Sequence, residues 1–180
     1  AGLRLLVAQA GVKFSNRNDV LVICLQEGSR VAGVFTQNRF CAAPVQICKK
    51  HLAQEQPIRA LIVNTGNANA GTGELGLQQA FAVCKALANQ LDCRIEQILP
   101  FSTGVILEPL PAYKIISALP RQVEVGWHEA AAAIMTTDTC PKMSTRVVEW
   151  GEQQICVTGI SKGAGTVSYT HLRAHETRED

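Results

Sequence analysis

The chain has 180 residues, a formal net charge of +2 and 47% hydrophobic residues, a composition that suits one compact domain and excludes wholesale disorder. The charge is small and no dense basic run occurs, so we expect no nucleic-acid partner. No apolar stretch approaches the roughly 20 residues that span a bilayer, so we also expect no membrane partner and a cytoplasmic location.

The first third of the chain predicts short β segments. Two β-branched runs, Asp19–Leu25 and Arg30–Thr36, are separated by turn-forming residues, which favours a hairpin. Further strands are predicted at Val45–Cys48 and Arg59–Asn64. The tract from Thr65 to Gly73 is rich in glycine and asparagine, so it predicts turns rather than a periodic element.

Helices and strands alternate in the rest of the chain. Apolar residues recur at helical spacing from Leu77 to Leu91, which predicts the clearest helix. The remaining elements are a strand, two short helices and a hairpin, predicted at Ile98–Phe101, Pro111–Leu119, Gly126–Met135, and Arg146–Trp150 with Gln154–Thr158. This interleaving predicts an α/β or α+β fold.

Seven cysteines are present, an odd number, without a CxxC pair or a Cys/His cluster at zinc spacing. Most lie in apolar runs, which is typical of free thiols that pack as small hydrophobic side chains. The sequence therefore predicts no disulfide scaffold and no metal site, and it suggests no cofactor.

Four polar tracts with glycine are candidate ligand loops: Thr65–Gly73, Ser102–Gly104, Thr136–Lys142 and Gly159–Gly165. Each is also compatible with a simple turn, although the first could present backbone N–H groups to an anion. The glycine spacing is not that of a dinucleotide fingerprint, and Lys162 precedes Gly163, the reverse of a P-loop.

These tracts offer hydroxyls, amides and Lys162, which suit an amino acid's charged groups and a developing oxyanion. Neither a Cys140–His128 pair nor acid/base chemistry at Asp138 is supported by the spacing. No nucleophile is evident from the residues alone.

Five segments occur in one order and together resemble a known family: VFTQNRFCAAPV (34–45), VNTGNANAGTGE (63–74), STGVILEPLP (102–111), AIMTTDTCPK (133–142) and GISKGAG (159–165). They are similar to the amino-terminal half of the glutamate N-acetyltransferases, also called ornithine acetyltransferases, the ArgJ family of arginine biosynthesis. The resemblance covers residues 1–165. It implies an α/β sandwich of β-sheets flanked by helices, which is incomplete here because the β chain is missing.

The resemblance also implies a mechanism. Such enzymes cleave themselves before a threonine, giving α and β chains, and the freed threonine takes acetyl from N-acetylornithine and passes it to glutamate. Some members also accept acetyl-CoA. By matching motifs, Thr103 and Gly104 would form the oxyanion hole, while Thr136 and Lys162 would contact the substrate.

The carboxy-terminal residues depart from the family pattern. The family nucleophile would fall on Arg173, and Val167–Thr177 resembles a translated transposase adapter from sequencing-library preparation, with Thr166 at the junction. We therefore expect an α-chain-like domain at 1–165, a non-native tail at 166–180, and no activity of the chain alone. A divergent natural terminus is the alternative for the tail.

Two other functions stay open. One is a stand-alone, non-enzymatic amino-acid-binding module, and the other is an amidase with a related amino-terminal-nucleophile fold. We expect an α-chain fragment to expose apolar surface and to associate.

Overall fold

The computed structural model describes residues 2–151 and 153–163. Its main element is a five-stranded sheet with the spatial order β4-β3-β2-β1-β5. The strands are β1 (Leu3–Ala8), β2 (Val20–Leu25), β3 (Ala60–Asn67), β4 (Ile98–Val105) and β5 (Val123–Val125). All neighbours pair antiparallel except β3 and β4, which are parallel. That pair is joined by a crossover that contains a helix, the usual connection between parallel strands.

Helices cover both faces of this sheet. They are α1 (Ala43–Leu52), α2 (Gly73–Gln90), α3 (Ala112–Ala118) and α4 (Trp127–Ala133), with short 3₁₀ turns at Ile95–Gln97 and Leu119–Arg121. Within residues 2–151 and 153–163, no helix has the length and apolar character needed to cross a bilayer.

The alternation of side chains along β2 creates two cores. Val20 and Val22 are fully buried in one cluster with Leu87 of α2. Leu21 points to the opposite face, where it packs in a second cluster with Ala130 of α4. A β-branched strand buried on both faces explains the continuous apolar run in the sequence. The α/β class predicted from the sequence is confirmed.

A two-stranded antiparallel hairpin follows α4 and forms its own sheet. Its strands are β6 (Lys142–Trp150) and β7 (Gln153–Ser161). Nearly every residue of the hairpin is exposed, including a set of large apolar side chains: Met143, Val147, Val148, Trp150, Ile155 and Val157. The hairpin was predicted, but β6 begins four residues before Arg146, and β7 begins one residue before Gln154 and ends three residues after Thr158.

Two strand predictions were wrong. Arg30–Thr36 has no regular structure, because β2 already pairs with β1 on one side and β3 on the other, which leaves no edge for a hairpin partner. Val45–Cys48 lies inside α1, which has a proline in its first turn. The chain also contains β1 and β5, which were not predicted, while β2, β3, β4 and the three predicted helices are present.

Candidate functional site

The site is built first on the carboxyl ends of the parallel strands β3 and β4. Their register places Thr65 beside Thr103 and Gly66 beside Gly104, and the pairing becomes irregular at Asn67. Gly104 has φ +136°, and an added Cβ there would lie 2.6 Å from the Asn67 backbone nitrogen. A side chain does not fit between the two strands at this point. The backbone can therefore approach Gly66 this closely only because residue 104 is a glycine.

A buried chain of amide side chains holds these strand ends. The Ser102 hydroxyl donates to Asn64 Oδ1 (2.6 Å), and Asn64 Nδ2 donates to the Asn67 carbonyl (2.8 Å). Asn67 Oδ1 accepts the Asn69 N–H (2.8 Å), and Asn69 Nδ2 donates to the Gly76 carbonyl of α2 (2.9 Å). The asparagines of the Thr65–Gly73 tract are therefore used in internal hydrogen bonds, and their role is to fix the backbone of the site.

The loop between β1 and β2 forms a second wall of the site. The buried Asp19 carboxylate accepts the N–H groups of Ala10 (2.7 Å) and Val12 (2.6 Å), and its carbonyl accepts the Thr65 N–H (2.9 Å). These bonds hold the loop against β3. Arg17 then reaches the Met135 carbonyl, with 2.6 Å between Nη2 and the oxygen.

This loop was not among the candidate ligand loops predicted from the sequence. The available signal was a polar stretch, KFSNRND at residues 13–19, between two apolar segments.

The third wall carries Thr136 and Lys162, which Asp138 connects. Asp138 Oδ2 accepts the Thr136 N–H (3.2 Å), and Oδ1 accepts the Gly163 N–H and a proton of Lys142 Nζ (2.7 Å). Lys162 Nζ lies 3.9 Å from Oδ2. Burial raises the pKa of Asp138, but the hydrogen bonds from Lys142, Thr136 and Gly163 outweigh it and lower this pKa to about 2.

These three walls enclose one open pocket of about 410 Å³. It brings together all four residues predicted from the sequence, Thr103, Gly104, Thr136 and Lys162. The pocket is lined by Lys13, Phe14, Arg17, Asp19, Thr65, Gly66, Thr103, Gly104, Val105, Thr136, Thr137 and Lys162. Arg173, the position of the expected nucleophile, lies outside the described residues.

The pocket combines cationic side chains with hydroxyls. Lys13 forms an ion pair with Glu108 (3.2 Å), whereas among the described residues the hydrogen bonds of Arg17 and Lys162 go to neutral carbonyls, those of Met135 and Gly163. Such a pocket suits a ligand with a carboxylate. Across residues 2–151 and 153–163, no three His, Cys, Asp or Glu side chains are grouped so that they could hold a metal ion.

Comparison with known proteins identifies the family. The sequence model of the ArgJ family matches residues 4–170, which is most of the chain. The chain belongs to the ArgJ family. It is 56% identical over 167 residues to the arginine biosynthesis bifunctional protein ArgJ of Neisseria gonorrhoeae, and equally identical to that of Neisseria meningitidis serogroup A. The alignment covers 92% of this ArgJ-family chain and 41% of each relative, so the chain spans about two fifths of the relatives' length.

Solved structures of the family have the same fold. The arginine biosynthesis bifunctional protein ArgJ of Bacillus halodurans superposes with a TM-score of 0.85 at 31% identity, covering 92% of this chain and 88% of that one. The ornithine acetyltransferase of Mycobacterium tuberculosis, solved in complex with ornithine, gives a TM-score of 0.77 at 33% identity, covering 93% and 91%. The ArgJ-like fold expected from the five sequence motifs is therefore confirmed.

Proposed function

We propose that this chain supplies part of the active site of an acetyltransferase that moves an acetyl group from N-acetylornithine to glutamate. The observation that carries the proposal is the single pocket containing Thr103, Gly104, Thr136 and Lys162. Two of these residues lie on a fixed strand end and two on the Asp138-bonded segments. The ornithine complex of the Mycobacterium tuberculosis relative supports an amino-acid ligand here.

In the proposed reaction, the hydroxyl of a threonine in the β chain of the same precursor attacks the acetyl carbonyl carbon of N-acetylornithine. The carbonyl oxygen becomes an oxyanion, and Thr103 with the Gly104 backbone stabilises it. The threonine hydroxyl proton passes to the departing nitrogen as the C–N bond breaks, and ornithine leaves. The α-amine of glutamate then attacks the acyl-threonine, the ester C–O bond breaks, and N-acetylglutamate is released as the amine's proton returns to the threonine oxygen. Removing one oxyanion donor typically lowers the rate roughly 100- to 1,000-fold.

The charged groups of the pocket orient the amino acid. The Lys162 ammonium pairs with the substrate carboxylate, and Thr136 contacts the same ligand. Acetyl-CoA is a further acetyl donor that some family members use. No group other than these substrates is required by the proposed chemistry, because the threonine itself carries the acetyl group.

We further propose that the 180-residue chain is inactive by itself, because it lacks the threonine nucleophile. The experiment measures acetyl transfer from N-acetylornithine to glutamate by the chain alone and after mixing with a separately produced β chain of the Neisseria gonorrhoeae relative. We expect no transfer by the chain alone and measurable transfer by the mixture. Transfer by the purified chain alone would refute the claim of inactivity.

A matched pair of variants tests whether Lys162 binds the substrate. In the mixture, Lys162→Met should raise the KM for N-acetylornithine, whereas Lys85→Met, at an exposed position on α2, should leave it unchanged. An unchanged KM in Lys162→Met would refute the substrate-binding role.

The rival function is a stand-alone amino-acid-binding module. It is favoured by a pocket that has a cation and hydroxyls but, among the described residues, no side chain placed as an activated nucleophile. Calorimetric titration with glutamate and N-acetylornithine separates the two functions. Saturable binding without any restoration of activity by a β chain supports the binding module.

We also propose a cytoplasmic location and a boundary near residue 165. The location is supported by the cysteines, all seven of which lie in the described part of the chain and are free. The boundary at 165, with a non-native tail at 166–180, is tested by the coding DNA: adapter bases at its 3′ end support it, and a continuous genomic reading frame refutes it.

A further inference from the structure

Asp138 connects two segments that are far apart in sequence and adjacent in the pocket. It lies in the loop between α4 and β6, where it accepts the Thr136 N–H (3.2 Å). It also accepts the N–H of Gly163, which follows Lys162 at the end of β7. A carboxylate that accepts N–H groups from both segments fixes their separation.

Gly163 is fitted closely to this arrangement. A Cβ added at Gly163 would lie 3.1 Å from Lys142 Nζ, and closer still to Asp138 Oδ1. The absence of a side chain at this position is what allows the carboxylate to reach the Gly163 backbone.

The two lysines near Asp138 are not equivalent. Lys142 Nζ donates a hydrogen bond to Oδ1 at 2.7 Å, whereas Lys162 Nζ is 3.9 Å from Oδ2, beyond hydrogen-bond distance. The Lys162 ammonium instead donates to the Gly163 carbonyl (2.8 Å), which is a neutral acceptor. The Asp138 side chain is only 1% exposed, so its single negative charge is satisfied mainly by Lys142.

Only one of these lysines faces the ligand. Lys162 lines the pocket, and Lys142 does not. We infer that Asp138 is a positioning residue for Thr136 and Lys162, and that Lys142 is its counter-ion, which leaves the Lys162 ammonium available to the substrate carboxylate. This inference rests on the proposed function, because it assumes that the ligand of the pocket is an amino-acid carboxylate.

Although Lys142 lies outside the pocket, replacing it should weaken the recognition of a ligand carboxylate. In Lys142→Gln, Asp138 loses its partner and draws Lys162 toward itself, so Lys162 is less available to the ligand. In Lys142→Arg, the counter-ion is retained. A purely structural role of Lys142 would weaken all ligands alike.

The test compares N-acetylornithine with its primary carboxamide, which lacks the carboxylate, by calorimetry on the full 180-residue chain. We expect wild type and the exposed-site control Lys85→Gln to prefer the acid by roughly 10-fold, the usual effect of one charge-assisted hydrogen bond. We expect Lys142→Gln to lose most of this preference and Lys142→Arg to keep it. An unchanged acid-to-amide ratio in Lys142→Gln overturns the inference.

A second measurement decides the inference without any ligand. Backbone amide NMR signals of Thr136 and Gly163 should shift in Asp138→Asn and stay in place in Lys85→Gln, because both amides donate to the Asp138 carboxylate. If wild type alone binds neither ligand, the titrations are repeated on the mixture with the β chain, where absence of acetyl transfer refutes the proposed function, and the two amide signals still test the positioning role. Unshifted signals in Asp138→Asn overturn it.

Discussion

Gly104 is the position where a single methyl group should damage the site most. Its φ of +136° lies in a region that side chains rarely adopt, and the added Cβ would meet backbone rather than flexible side-chain atoms. The nearest of these are the Gly66 carbonyl carbon and the Asn67 nitrogen, the latter at 2.6 Å. Backbone atoms within a paired strand cannot rotate away, so Gly104→Ala must separate the ends of β3 and β4.

The two components of the cost can be added from the geometry. Holding an alanine at such a φ costs about 1–3 kcal/mol, and forcing a methyl group into filled space costs about 1–3 kcal/mol more. We therefore expect Gly104→Ala to lower the free energy of unfolding by about 2–6 kcal/mol. Urea denaturation, followed by circular dichroism, gives this value from the transition midpoint.

Two other glycines serve as controls that separate backbone strain from the steric overlap of the added methyl group. Gly28 has φ +84° with no atom within 4 Å of an added Cβ, so Gly28→Ala should cost only about 1–2 kcal/mol of backbone strain. Gly159, on the exposed β7 strand, has neither a positive φ nor a close neighbour, and Gly159→Ala should change stability by less than about 0.5 kcal/mol. The reasoning is refuted if Gly104→Ala costs no more than Gly28→Ala.

Three further predictions concern charge, thiols and association. Because the pKa of Asp138 is lowered from 3.8 to about 2, its charge stabilises the fold above pH 4 by about 2 kcal/mol, and wild type should lose this between about pH 4 and 2. Urea unfolding of Asp138→Asn should show the lower stability at pH 7 and lack that component of the acid dependence; parallel pH profiles would contradict it. Burial raises the pKa of four thiols, those of Cys24, Cys48, Cys84 and Cys93. An aromatic disulfide reagent should therefore label the exposed Cys140 and Cys156 quickly and label the three buried cysteines, Cys24, Cys48 and Cys84, only after unfolding. Sedimentation should show concentration-dependent association through the apolar hairpin, reduced by Trp150→Ser, and a monodisperse wild-type monomer would contradict it.

Local sequence patterns predicted two kinds of element: helices in which the apolar spacing repeats over several turns, and strands that pair with the next strand in sequence. α2 is the clearest example, because its 18 residues contain enough turns for the apolar spacing to be unambiguous. Val45–Cys48 failed because four residues cannot distinguish a strand from a helix turn. In α1 the buried residues Ile47, Cys48 and His51 follow helical spacing, which becomes visible only over the whole segment.

Long-range pairing limited the other predictions. Arg30–Thr36 has the β-branched residues of a strand, yet Val34 is fully exposed because both edges of β2 are occupied. The residues of this segment do not indicate whether an edge of β2 is available for pairing. The neighbours of β2 are β1, which was not predicted, and β3, which follows it by about 35 residues.

The four site residues were assigned through the family resemblance, and the fold explains why they meet. Thr103 and Gly104 are adjacent in sequence and are held against Gly66 by the β3–β4 pairing, whereas the hairpin brings Lys162 to Thr136. The parallel pair β3 and β4 places Gly66 beside Gly104, and the hairpin pairs Lys142 with Ser161. Because Lys162 follows Ser161, hairpin closure alone returns it to the loop that precedes Lys142, which is where Thr136 and Asp138 lie.

Joining these two pairs into one pocket needs contacts that no local pattern contains. α4 packs its alanines on Leu21 of the sheet, which places the loop after α4 near the end of β3. Arg17 then bridges to the Met135 carbonyl, and Asp19 binds the same loop of residues 9–18 to Thr65. The sequence supported no acid/base role for Asp138, because Asp138 has no acidic neighbour. In the fold, its partners come from the start of β6 and from the residues that follow β7. A lone buried carboxylate between two lysines is therefore a feature that only the folded hairpin identifies, and it is the feature on which the charge of the pocket depends.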